Sequence, residues 1–338
     1  VQRFSSRLSP QIVSVLGVIV IVIVIFSILS PGFLALGNVS NLLLQASSTA
    51  IAASGMTLVI MAGWIDLSIG SLMSLAVTIA LAAAGVTSAA YGSSSIWTYF
   101  IVIGVSIAGG ALNGVLIWAL KVQPLLVTLG TMTIFSGIAL HITSAGNRSA
   151  SGPIQYLGRA VVFGIPLPVI VAVVVVVVIA FLLRRTPFGR YVTAIGGSER
   201  SARETGLPIN RLRIVVFAIS GLCAGIAGII TVGQVGTMQS TFGVGFEFTV
   251  ITAVVVGGTS LTGGKGSVIG SALGAILLTL IDNGLNRVNA SVYIYDVITG
   301  LVLLVAVLTD SVVMGRIRRM NVRIRQAGLE RSQKTPST

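Results

Sequence analysis

Residues 187–211, PFGRYVTAIGGSERSARETGLPINR, decide how this chain is organised. The stretch carries Arg190, Arg200, Arg203, Arg211, Glu199 and Glu204 and lies between two apolar runs. No bilayer core would accept that density of charge. It reads as a short polar helix framed by Gly196-Gly197 on one side and Gly206-Leu207-Pro208 on the other, with Ser198 placed to cap its start. A polar helix tethered between two membrane spans is a handle. A cytoplasmic partner that pushed on it would move the helices around it.

Outward from the handle the chain is apolar. It has 338 residues, 54% of them hydrophobic and only 9% charged, with a mean hydropathy of +1.02. So few charges cannot cover a soluble protein of this size, and an all-α polytopic membrane protein follows. The formal charge of +13 does not signal nucleic acid, because aromatic residues make up 6% and do not interleave with the basic ones. Cys223 is the single cysteine and sits in an apolar run, so no internal disulfide is possible.

Hydropathy predicts about ten spans, near 11–29, 49–63, 68–86, 96–119, 125–144, 164–183, 212–233, 248–258, 268–285 and 293–309. The first run lacks a small-residue cleavage site and reads as a retained span. Residues 1–314 form one transmembrane domain, and 315–338 form a basic tail. Gln239, Ser240 and Glu247 fall in a loop between spans seven and eight, and a glycine loop, 257–267, follows span eight. An even span count puts both termini on one side. With the N-terminus inside, all of the 21 Lys and Arg residues except Arg148, Arg159 and Arg287 are also inside. The bias of basic residues toward the cytoplasm therefore places both termini and the handle there.

Enzyme chemistry finds no foothold. His141 is the one histidine, at the end of a span, and no His/Cys cluster offers a metal site. The glycine loop GGTSLTGGKGS resembles a phosphate loop without being one. Lys265 would need a glycine six residues earlier, where Thr259 stands, and Ser or Thr next, where Gly266 stands. The chain binds no cofactor of its own by this reading, and active transport would need ATP handled by another subunit.

Ionisable groups at membrane depth are few: Asp66, Asp282 and Asp296 lie near span ends. Uncharged polar residues are better represented, and Gln45, Asn113, Thr131, Asn283 and Asn286, with Asp66, are the candidate pathway lining for a neutral, hydroxylated solute. Interhelical hydrogen bonding is the competing role for each. Asp66 either begins a half-helix facing the pathway or caps a turn. Glycines repeat at four-residue spacing in Gly110/Gly114, Gly221/Gly225 and Gly266/Gly270/Gly274, a pattern for close helix contact.

Several segments, in order, carry a resemblance. They are Gly55 to Ile60 (GMTLVI), Ile65 to Ser71 (IDLSIGS), Gln123-Pro124 with Thr128-Leu129-Gly130, Thr186-Gly189-Arg190-Tyr191 with Ala194-Ile195-Gly196-Gly197, Ala253 to Leu261 (AVVVGGTSL) with Gly263 to Gly266, and Asn283 to Asn286 (NGLN). Together they resemble the ribose-type permeases of the branched-chain permease superfamily, membrane subunits of bacterial ABC sugar importers. The resemblance implies that family's importer permease fold and a place in the bacterial inner membrane. It implies a second permease copy, identical or different, and two ATPase subunits that hold ATP and Mg. It also implies an extracytoplasmic sugar-binding protein and surrounding membrane lipid. Residues 187–211 would be the coupling segment, with Glu199, Arg200, Arg203, Glu204, Gly206, Leu207 and Pro208 meeting the ATPase. The run ARETGLP resembles the EAA-type loop with its glycine at Gly206, although the leading Glu-Ala-Ala is missing. Trp64 stands where the family usually has glycine and adds bulk beside Asp66. The implied cargo is a monosaccharide or related polyol. The rival reading is a secondary transporter or channel for a small polar solute. The scarcity of buried ionisable groups weighs against a coupled carrier, and the long basic handle weighs against a simple pore.

Overall fold

The computed structural model describes residues 10–85, 95–239, 241–291 and 293–308. Arg3, Arg7, Ser240 and the basic tail 315–338 lie outside the described residues. The chain forms α1 (Pro10–Leu29), α2 (Leu36–Met61), α3 (Ile69–Ala83), α4 (Trp97–Leu120), α5 (Pro124–Thr143), α6 (Pro153–Arg159), α7 (Leu167–Arg185), α8 (Pro187–Gly197), α9 (Glu199–Glu204), α10 (Ile209–Val235), α11 (Phe246–Val256), α12 (Val268–Arg287) and α13 (Tyr293–Leu308). Four two-residue strands pair antiparallel: β1 (Arg148–Ser149) with β4 (Thr237–Met238), and β2 (Val161–Val162) with β3 (Ile165–Pro166).

Seven of these helices, α1, α2, α4, α5, α7, α10 and α12, are long and apolar enough to cross a membrane. Among the described residues the other three expected spans are shorter. The 15 residues of α3 and the 11 of α11 reach about 22 and 16 Å at 1.5 Å per residue, less than a hydrocarbon core of about 30 Å. They are half-spans. Glu247, expected in a loop, instead lies in the first turn of α11 and is buried.

Helix α2 is the hub. From Ala46 to Met61 every residue is buried, and α7, α10, α11 and α12 pack around it. Its many Ala, Ser and Gly residues let neighbours approach from every side, as a helix enclosed by others requires. The Val-rich α1 and α7 do the opposite. Val20, Ile21 and Ile28 of α1, and Val173, Val177 and Phe181 of α7, point outward as an apolar surface suited to lipid.

The four-residue glycine repeats mark close crossings, as their spacing suggests. A Cβ on Gly110 would collide with the Phe217 carbonyl, and one on Gly221 with the Ser106 carbonyl, so α4 and α10 meet backbone to backbone. Gly270 and Gly274 of α12 stand in the same relation to Gly257 and Ala253 at and beside the end of α11.

The bundle has two dissimilar ends. One holds the α2–α3 break, the α4–α5 joint, α8, α9 and the glycine loop. At the other, Arg287 donates to Ser30 Oγ at 3.1 Å and to the Pro31 carbonyl at 3.2 Å. There too Arg159 donates to the Gln234 and Val235 carbonyls, and Arg148 to the Ile142 carbonyl. The three arginines set apart by the charge count thus share one end, and the handle occupies the opposite one.

Candidate functional site

The handle is two helices rather than one. Pro187 starts α8 at a position where its missing N–H costs nothing. Phe188, Val192 and Ile195, at helical spacing, turn inward, with Val192 and Ile195 buried. Ser198 breaks from helical geometry, and its Oγ accepts the Ser201 N–H at 3.2 Å, so the expected cap starts α9. The end of α9 explains Gly-Leu-Pro. The Leu207 N–H donates to the Ala202 carbonyl at 3.1 Å and the Gly206 N–H to the Arg203 carbonyl at 3.0 Å, a Schellman pair. That pair needs a left-handed residue, and Gly206 supplies it at φ +79°. Pro208 then prevents the turn from continuing as helix.

One face of α9 is exposed and charged. Arg200 pairs with Glu204 at 3.2 Å and Arg203 with Glu199 at 3.0 Å, both one helical turn apart. Only Ala202 of this helix is buried. The other attachment is ionic. Glu199 Oε1 also accepts from Arg213 Nη2 of α10 at 3.0 Å, and the Arg213 side chain is 9% exposed. The Arg213 guanidinium lies 4.9 Å from the centre of the Trp64 ring. Trp64 in turn stacks on Phe217 at 6.1 Å between centroids, with 23° between the ring planes. A continuous line of contacts therefore runs from the exposed handle to the break between α2 and α3. A polar cavity of about 420 Å³ opens beside it, lined by Lys121, Gln123, Glu199, Arg203, Asn210 and Arg213.

The second attachment is backbone to backbone. The Gly264 N–H donates to the Met61 carbonyl at 2.8 Å. A Cβ on Gly196 would fall inside both the Met61 carbonyl oxygen and the Gly264 nitrogen. The end of α8, the end of α2 and the glycine loop thus meet at one glycine junction.

Beyond Trp64 the break is clasped by a buried polar network. Asp66 Oδ1 accepts the Ser68 N–H at 3.0 Å and the Ser68 hydroxyl at 2.6 Å, a turn closed two residues on. Asp66 Oδ2 accepts from Ser220 of α10 at 3.3 Å, and Asn113 of α4 donates to Ser68 Oγ at 2.7 Å. The break and α10 meet on the Asp66 carboxylate, α4 joins them through Ser68, and the side chains of Asp66, Ser68, Asn113 and Ser220 are fully buried.

The remaining candidate pathway residues are dispersed. Thr131 is buried on α5 and bonds to the Thr128 carbonyl. Asn283 pairs with Asn38 at 2.9 Å near the end away from the handle. Asn286 is exposed and donates to Asp282, and Gln45 is exposed on α2. The structure brings Asp66 and Asn113 together and leaves the other four apart. It also adds three features that the sequence reading missed: the Arg213–Trp64–Phe217 stack, the Gly196–Gly264 junction and the burial of Glu247. Repeated glycine pairs were the one signal for the junction. The stack left none, since its partners are far apart in the chain.

The family described as branched-chain amino acid transport system, permease component, matches residues 38–307. The ribose import permease protein of Haemophilus influenzae is 37% identical over 301 residues, covering 87% of this chain and 91% of that protein. The Bacillus subtilis ribose import permease protein is 38% identical over 298 residues, with the same coverage. The Escherichia coli L-arabinose transport system permease protein is 36% identical over 309 residues, covering 87% and 89%. No solved structure matches the chain. Matches of this extent, on a bundle with seven helices able to span a bilayer, mean that this multi-pass membrane protein belongs to the branched-chain amino acid transport system permease family, among its ribose-type members.

Proposed function

We propose that this chain is the permease subunit of an ATP-driven importer that carries a monosaccharide or related polyol into the bacterial cytoplasm. The observation that carries the reading is the handle: an exposed, charged α9 joined through Glu199, Arg213 and Trp64 to the break between two membrane helices. A pore has no use for such a lever. The names of the relatives, ribose and L-arabinose permeases, support a sugar as cargo.

In this reading the handle end faces the cytoplasm and the Arg148, Arg159 and Arg287 end faces out, as the charge bias favours. A second permease copy completes the pathway, and an extracytoplasmic binding protein delivers the sugar. ATP and Mg are held by the ATPase subunits. Arg200, Arg203, Glu204, Gly206, Leu207 and Pro208 form the surface that the ATPase grips, and Glu199 faces inward to Arg213. When the ATPase subunits close, α9 moves, Glu199 carries Arg213 with it, and the push arrives at Trp64 and α10. The Asp66 network transmits it as a unit, because breaking any buried bond there is more costly than moving the group together.

The test is reconstitution into proteoliposomes with the ATPase and the binding protein. Uptake of radiolabelled sugar that needs ATP and survives collapse of ion gradients supports the reading. Uptake that persists without ATP and is abolished by ionophores would instead establish the secondary-transporter alternative. Labelling of Arg200→Cys by an impermeant maleimide in inside-out vesicles, but not in right-side-out ones, is the expected result for orientation.

A further inference from the structure

The half-helices α3 and α11 begin beside each other. The turn at 241–245 presses Gly243 against Gly70, so closely that a Cβ on either would collide with the other's carbonyl oxygen. A Cβ on Gly70 would also come within 2.8 Å of Glu247 Oε2, so the carboxyl group lies at the start of α3 as well as of α11. Next to this junction is a cavity of about 350 Å³ between α3, α5 and the turn, at the small end of the range for ligand sites. Ser74, Ser136 and Glu247 line it, with Phe242 as an aromatic wall. Glu247 and Ser74 are each 5% exposed. Ser74 stands on the cavity wall on the α3 side.

Serine hydroxyls and a buried carboxyl group on the wall of one cavity suit a ligand that brings its own hydrogen bonds. Charge narrows the class. A cation would meet the positive ends of two helices, and an anion would meet Glu247. A neutral solute rich in hydroxyls avoids both penalties, because its hydroxyls can donate to the carboxylate and both donate to and accept from serine. We propose that this cavity is a sugar-binding station inside the protomer, with Glu247 and Ser74 as its polar anchors. The station rests on the importer reading and gives that reading a place where the cargo is held during passage. With so few anchors it holds sugar weakly, as a site on a pathway must.

The experiment uses the complete importer in proteoliposomes, with radiolabelled D-ribose, D-allose and L-arabinose as probes. Glu247→Gln and Ser74→Ala are compared with the unaltered protein for uptake and for ATPase stimulation by the binding protein. The expected result is about tenfold slower uptake for Glu247→Gln and a smaller, roughly threefold loss for Ser74→Ala, with stimulated ATPase retained. Independently of whether Glu247→Gln folds, Ser74→Cys in a Cys223→Ser background is labelled with a small methanethiosulfonate. The transported sugar should slow that labelling severalfold, and sucrose should not. Normal uptake in both variants, or labelling indifferent to the transported sugar, overturns the station and leaves the importer reading standing. Uptake by the unaltered protein that needs no ATP and is abolished by ionophores overturns that reading, and the station with it.

Discussion

The Arg213 guanidinium sits 4.9 Å above the Trp64 ring while one of its nitrogens holds Glu199 of the handle at 3.0 Å. One side chain thus touches both the exposed lever and the break in the membrane helices. Trp64 is 4% exposed and also stacks on Phe217. Trp64→Ala should destabilise the detergent-solubilised protein by about 3–5 kcal/mol, the usual cost of removing a large buried aromatic. Trp64→Phe, which keeps a ring for Arg213 and Phe217, should lose less than half of that. Unfolding by denaturant, followed by tryptophan-independent probes, measures both. Equal stability of the two variants would mean that the ring is not what Arg213 rests on.

Glu199→Gln removes the ionic partner of a side chain that is nine-tenths buried. A fully buried pair broken in this way costs about 3–5 kcal/mol, and the exposure of Glu199 reduces the expected loss to about 1–2 kcal/mol. Transport should fall by more than stability does. ATP-driven uptake in proteoliposomes is expected to drop severalfold while the ATPase stays bound, because the lever would still be gripped but would pull on less.

Gly196 and Gly197 are adjacent and should respond in opposite ways. A Cβ at Gly196 collides with backbone atoms of Met61 and Gly264, whereas one at Gly197 meets nothing within 4 Å. Gly196→Ala is expected to lower the yield of monodisperse protein sharply, and Gly197→Ala to leave it unchanged, as read by size-exclusion chromatography. A reversal of that order would place the junction elsewhere.

Asp66→Ala leaves Ser220 and the Ser68 N–H unpaired in a fully buried site. Each orphaned group costs about 1–3 kcal/mol, so a loss of several kcal/mol is expected. Ser220→Ala, which removes only the longest of the bonds, should cost about 1 kcal/mol. Thermal shift assays in detergent rank the two.

Much of this architecture was legible in the sequence. Apolar runs located the spans, because lipid leaves a chain no other way to satisfy its backbone. Ser198, Gly206 and Pro208 marked the ends of α9 through local geometry, which depends on the nearest few residues only. The shortness of α11 was legible in the 11-residue run 248–258, and a half-helix at Asp66 was one of two readings, but hydropathy averages over a window and cannot tell where α3 or α11 begins. Glu247 was lost for that reason: its charge looked like a loop signal, whereas the turn at 241–245 folds it inward against Gly70. The partners of Trp64 and of Asp66 come from α10 and α4, and a single sequence carries no trace of which helices will cross. Asp66 and Asn113 were singled out as polar residues near spans, and only the fold revealed that Ser68 joins them.

The handle itself is tested most directly by co-purification of the ATPase with the permease, unaltered and as Gly206→Trp. Gly206 sits at φ +79°, and a Cβ added there would meet nothing within 4 Å. A large side chain at this position therefore strains the end of α9 by about 1–2 kcal/mol, with open space at its Cβ, and would obstruct a partner seated on α9. The expected result is a stable complex with the unaltered chain, and a Gly206→Trp protein that remains monodisperse but retains no ATPase. Gly206→Trp protein that retained the ATPase in full, with normal ATP-driven uptake, would contradict the account and move the coupling surface away from α9.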